Sequence, residues 1–192
     1  MPRSKNPLAA RAAAFSLAAA SLAFGACAAA QSPAPFDLSA AAAAGSRGQV
    51  RKVELDLGWT QEQALWQGRI WRLRLRHEIA LGEWRVPDAR NITEVGYSPV
   101  LRLEKPEEGP DGSVFFVEGS IGARLLSHTR LAPKIPLSTA FQFADMIGLG
   151  LQWGRGADAQ TVGLRLQHQS NADIKKPNPG INFLMLYYRR AF

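Results

Sequence analysis

Near the carboxyl end of this chain, the segment LQHQSNADIKKPNPGIN (166–182) holds a histidine and a serine two positions apart. Val162, Leu164 and Leu166 precede them at alternate positions. Successive side chains of an extended strand point to opposite faces, so His168 and Ser170 continue the apolar face of that run. The chemistry this spacing offers is nucleophilic. A serine hydroxyl is a poor nucleophile at neutral pH and needs a base, and an imidazole on the same face reaches it after a rotamer adjustment. A polar pair on a greasy face is costly as structure and useful to an enzyme acting on a lipid.

The elements that must position this pair alternate with a period of two. In WRLRLRHEIAL (71–81), Trp71, Leu73, Leu75, Ile79 and Leu81 share one face, opposite Arg72, Arg74, Arg76 and Glu78. Val53, Leu55, Leu57 and Trp59 oppose Lys52, Glu54, Asp56 and Gly58 in the same way. Further alternating runs cover about 91–104, 113–126, 140–153, 160–170 and 181–192, separated by turn-rich EWRVPDAR, KPEEGPDGS, RGADA and KKPNPG. The weaker PFDLSAAAA (35–43) supplies an eighth strand, and no convincing helix follows residue 31.

Alternation alone does not say whether the apolar face meets a core or lipid. Runs of about ten residues suit tilted strands crossing a bilayer. The row of arginines suits a polar lumen shared with Glu54, Glu78, Glu104 and Glu118. The terminal YYRRAF resembles the last strand of Gram-negative outer-membrane barrels, which ends in an aromatic residue, here Phe192. The expected fold is therefore an all-β, eight-stranded antiparallel transmembrane barrel. A leader fits this destination. Arg3, Lys5 and Arg11 precede an Ala-rich apolar run, and AAA before Gln31 reads as a cleavage site, so residues 1–30 are expected to be a signal peptide. Cys27, after Gly25 and Ala26, leaves a lipoprotein reading as the alternative.

The remaining domain, 31–192, would carry no cysteine and so no disulfide. Its formal charge falls from +7 to +4 once the three leader cations go, which does not specify a nucleic-acid binder. With both termini in the periplasm, the seventh strand runs outward. His168, Ser170 and Asn182 then lie near the outer rim, on the face that Phe192, Tyr188, Leu186 and Leu184 share by parity.

HQSNADIKKPNPGIN resembles the signature of the lipid A 3-O-deacylase (PagL) family, and the resemblance extends over about 50–192, including VEGSIGARLLS and FADMIGLGLQWG. It implies an outer-membrane serine esterase that removes the 3-hydroxyacyl chain at position 3 of lipid A, with lipopolysaccharide as substrate and no cofactor. Ser170 would be the nucleophile, His168 the base and Asn171 the oxyanion donor. The family's third triad member is a glutamate, whose position here is Asn182. Asparagine can hold the imidazole tautomer but supplies no negative charge, which either costs turnover or leaves the charge to another acid. Asp173 stands where the family can have glycine. Lys175 and Lys176 follow the motif and suit the phosphates of lipid A as point charges.

Pro177, Pro179 and Gly180 read as shaping the hairpin. Trp59, Trp71, Trp84 and Trp153 read as interfacial belts. His77 reads as structural or interfacial, and His128 is discounted because neighbouring side chains on an extended chain point apart. Other readings stay open at this point: a small barrel without activity, a soluble barrel binding an apolar ligand, and a hydrolase of another lipid ester. No residue sets the oligomeric state, a homodimer included.

Overall fold

The computed structural model describes residues 36–192 apart from 48, 88, 106–112 and 133–134. The expected signal peptide lies outside the described residues. Eight long strands follow one another: β1 (Phe36–Gly45), β2 (Arg51–Thr60), β3 (Arg72–Arg85), β4 (Ile92–Glu104), β5 (Val114–Leu126), β6 (Phe141–Trp153), β7 (Gln160–Ser170) and β8 (Ile181–Ala191). Each pairs antiparallel with the next, and β8 pairs with β1, so the sheet closes without an edge. The weak Ala-rich segment is thus a full strand; its small side chains cost little in register because both of its neighbours are paired throughout. The sole helix among the described residues is a single 3-10 turn, Gly156–Asp158.

The period of two resolves into an apolar outside and a polar inside. Leu55, Leu81, Leu101, Leu149, Leu164, Leu166, Leu184 and Leu186 all point outward, Leu166 with 58% of its surface exposed. A soluble ligand-binding barrel would bury that face, so the outward leucines overturn that reading and leave the surface to lipid. Phe36, Trp59, His77 and Tyr97 form an outward row across β1–β4. Trp59 stacks on His77 at 5.0 Å, and His77 Nδ1 meets the Tyr97 hydroxyl at 2.7 Å. His77 is thus held between two aromatic side chains.

Inside, most charges are paired, because an unpaired ion in so narrow a lumen would cost several kcal/mol. Arg165 bridges Glu118 (2.7 Å) and Glu78 (2.7 and 2.9 Å), and Arg76 and Arg189 also meet Glu78, each at 2.9 Å. Nearer the outer end, Lys52 Nζ reaches Glu54, Glu94 and Gln167 at 2.8, 3.0 and 2.7 Å. Gln169 donates to Glu94 at 3.0 Å and to Gln167 at 2.9 Å. The inner neighbours of His168 are therefore tied across the lumen, which holds the end of β7 in place.

One expectation needs correcting. Trp84 is no belt residue: it is fully buried and packs edge-on against Phe183 at 4.8 Å. It shares parity with Glu78 and Gly82, hence the lumen face, and joins Val50, Val86, Ile92, Leu126, Leu131, Leu137, Ile181 and Phe183 in an apolar plug. The lumen is polar along the barrel but apolar beneath the outer loops, where a short ribbon (Arg130–Ala132 with Ile135–Pro136) caps it.

Candidate active site

His168 lies near the outward end of β7, where registry places two polar residues directly beside it. Asn182 of β8 is opposite on one side and Asp145 of β6 opposite on the other. His168 Nδ1 and Asn182 Oδ1 are 2.6 Å apart. A carbonyl oxygen only accepts, so Nδ1 carries the proton and Nε2 keeps its lone pair for a neighbouring hydroxyl. Asn182 is itself held: its N–H donates to Ser46 Oγ at 3.0 Å, and the Ser46 N–H donates to its carbonyl at 2.8 Å. The turn between β1 and β2 thereby fixes the residue that fixes the base. Ser46 went unnoticed in the sequence because its role depends on a pairing 136 residues away in the chain.

Ser170 follows on the same outward face, half-buried and opposite Phe143. Two residues of strand separate its Cα from that of His168 by roughly 6.6 Å. No hydrogen bond joins its hydroxyl to a described residue, so the attacking contact requires the rotamer adjustment that the spacing allows. Hydrogen bonds of this kind are commonly long before substrate arrives.

The loop after β7 packs under the imidazole. Gly180 has φ +58°, and a Cβ there would stand 2.8 Å from His168 Cε1 and 3.2 Å from Nε2. Glycine is needed both for the backbone and for the space, beyond the hairpin shaping read from sequence. Asn171 to Ile174 forms a turn closed by the Ile174 N–H donating to the Asn171 carbonyl at 3.0 Å, with Ala172 (φ +51°) and Asp173 (φ +62°) at its centre. Positive φ at both central residues marks a type I′ turn, the reason glycine suits position 173.

Asn171 does not join the outward group. It is buried, its side-chain amide donates to the Leu137 and Lys175 carbonyls at 3.2 and 2.8 Å, and its N–H donates to Asn178 Oδ1 at 3.1 Å. Its donors are spent on ordering the loop. Asn178 in turn donates to Asp173 Oδ1 at 3.2 Å. Lys175 and Lys176 are exposed at the outer surface; Lys176 and Asp173 stand 4.0 Å apart, an exposed pair of little energetic weight. His128 does approach Ser127, at 3.0 Å, because the chain leaves the extended form there. That serine already accepts the Thr93 N–H at 2.9 Å and closes the end of β4.

An outward cleft of about 700 Å³ runs along Ser120, Ile121, Asp145, Ile147, Leu166, His168 and Asn182. Apolar walls around an imidazole suit an acyl chain beside a basic nitrogen.

Known proteins agree with this geometry. A lipid A deacylase PagL from Pseudomonas aeruginosa is 32% identical over 150 residues, covering 77% of this chain and 83% of that one. Its counterpart from Bordetella bronchiseptica is 35% identical over 121 residues, 63% of this chain; the match spans 64% of that relative's length. A crystal structure described as the outer membrane enzyme PagL superposes with a TM-score of 0.71 at 31% identity, covering 81% of this chain and 99% of the other. The family model for lipid A 3-O-deacylase (PagL) matches residues 51–191. That span takes in every strand from β2 to β8 and the whole of the His168–Asn182 segment, and the chain belongs to the lipid A 3-O-deacylase (PagL) family.

Proposed function

We propose that this protein is an outer-membrane serine esterase that removes the ester-linked 3-hydroxyacyl chain at position 3 of lipid A. Residues 1–30 direct its export through the periplasm. The observation that carries the reading is the His168–Asn182 bond at the outer end of a lipid-facing strand, with Ser170 next on the same face. Ser170 Oγ attacks the ester carbonyl while its proton passes to His168 Nε2. The tetrahedral intermediate collapses, the carbonyl carbon–sugar oxygen bond breaks, and the 3-oxygen of the sugar takes the proton from His168. Water, deprotonated by His168, then hydrolyses the acyl-serine and releases a 3-hydroxy fatty acid.

The oxyanion needs donors on the outward side. Since Asn171 spends its own on the loop, the role passes to the main-chain N–H groups of Ala172 and Asp173, which donate to no described residue. Asn171 supports them by holding the turn. Lys175 and Lys176 meet the phosphates of lipid A as point charges.

The test is mass spectrometry of lipid A after incubation with the refolded protein, beside Ser170→Ala. Loss of one 3-hydroxyacyl chain with wild type and none with the variant supports the reading. No mass change with folded wild type would refute it for this substrate and leave a barrel disabled by Asn182.

A further inference from the structure

The proposed reaction makes an imidazolium at His168 whenever Ser170 attacks, and the residue bonded to Nδ1 is neutral. Asn182 orients the ring but offers no charge to balance it. Directly across the sheet on the other side stands Asp145, paired with His168 in the β6–β7 register. Side chains so paired have Cβ atoms roughly 5 Å apart and share a face. Asp145 is outward like His168 and lines the same cleft.

Its placement is costly without a function. Asp145 is the only carboxylate on the outward faces of β5, β6, β7 and β8. Phe141 and Phe143, packed edge-on at 5.1 Å, precede it toward the outer rim. Ile147, Leu149 and Leu151 follow it toward the interior of the membrane. The acid therefore lies one step deeper than the rim aromatics, where a polar group is disfavoured unless it serves a purpose. No hydrogen bond or ion pair joins it to a described residue, so no structural partner accounts for it.

We propose that Asp145 is the positioning residue that balances the charge of His168, in place of the glutamate that position 182 lacks. The inference rests on the reading of His168 as base. Asp145 takes no proton: the serine proton moves to Nε2 and on to the leaving sugar oxygen, while the carboxylate stays charged across the strand. The triad is then split between two strands, with Asn182 setting the tautomer and Asp145 supplying the field. Opposite charges on side chains paired in this way near a protein surface interact strongly enough for removal of one to cost roughly 10- to 100-fold in rate.

The test is a two-by-two set in the full-length refolded protein: wild type, Asp145→Asn, Asn182→Glu and the double variant, with Asp145→Glu and Ser170→Ala beside them. Folding is checked by heat-modifiable migration, and kcat and KM are read from fatty acid released from lipid A. Asp145→Asn is expected to lower kcat about 10- to 100-fold with KM little changed, and Asp145→Glu to keep most of the activity. In the Asn182→Glu background, where a carboxylate lies against Nδ1, the same Asp145→Asn change is expected to cost less than about threefold. An equal loss in both backgrounds would mean a structural role and overturn the inference, as would an effect on KM alone or an unchanged kcat. If wild type and Ser170→Ala are equally inactive, the reading of His168 as base fails and takes this one with it. Activity that dies with Ser170→Ala yet ignores Asp145→Asn overturns only the role of Asp145.

Discussion

Gly180→Ala isolates the contact between the loop and the base. The added Cβ would meet His168 Cε1 at 2.8 Å, a distance real Cβ contacts essentially never show, and the Gln169 carbonyl at 3.2 Å. The Gln169 carbonyl is main chain within β7, so the ring has to yield. The ring is also where the 2.6 Å bond to Asn182 ends, so moving it disturbs both the tautomer and the path from Nε2 to Ser170. A misplacement of about 1 Å at a catalytic group costs on the order of 100-fold in rate. The φ of +58° adds a separate conformational cost of about 1 kcal/mol for alanine. Gly156→Ala separates the two effects: its φ is +55° and nothing lies within 4 Å of the new Cβ. Both variants should lose about 1 kcal/mol of stability in urea unfolding. Only Gly180→Ala should lose about 100-fold in kcat for fatty acid release from lipid A. A Gly180→Ala enzyme within twofold of wild type, or an equal kcat loss in Gly156→Ala, would refute the argument.

Two further outcomes follow from the lumen and the loop. Lys52→Ala removes the ammonium that bonds both buried Glu54 and Glu94 and should destabilise the barrel by about 3–5 kcal/mol in urea unfolding; a loss under 1 kcal/mol would mean the carboxylates are satisfied without it. Replacing Lys175 and Lys176 together by alanine should raise KM for lipid A several-fold at low salt, with kcat unchanged and the difference shrinking as salt rises. A salt-independent effect would show that the lysines act on the loop rather than on phosphate.

Much of the scaffold was legible from local pattern. The strand runs read from sequence match the observed ones within one or two residues, except that β3 continues to Arg85, into the segment read as a turn, and Asn182, Leu184, Leu186 and Tyr188 share the outward face as parity from Phe192 requires. Trp84 shows where that reasoning was misapplied. Its parity with Glu78 was available, but a tryptophan near a strand end suggested the interface. Asp145 shows the opposite: its parity with Ile147 and Leu149 put an acid on a lipid face, a signal present in FADMIGLGLQWG but lacking a partner until the register was known. Asn171 reads as part of the site because it matches the family motif, yet one step beyond Ser170 reverses the side chain, and it turns inward.

Period and parity are properties of neighbouring residues, so the sequence by itself determined the alternating strands, their apolar face, and His168 and Ser170 as a pair on that face; strand length, the arginine row and the aromatic end turned that face to lipid. Which residues of other strands stand beside them depends on register. Register follows from turn lengths and from the stagger that closes the sheet, and no local pattern encodes either. Only the tertiary structure therefore decided that Asp145 flanks the imidazole on the side opposite Asn182, that Ser46 clamps Asn182, and that the outer end of a charged lumen is sealed by tryptophan, phenylalanine and leucine.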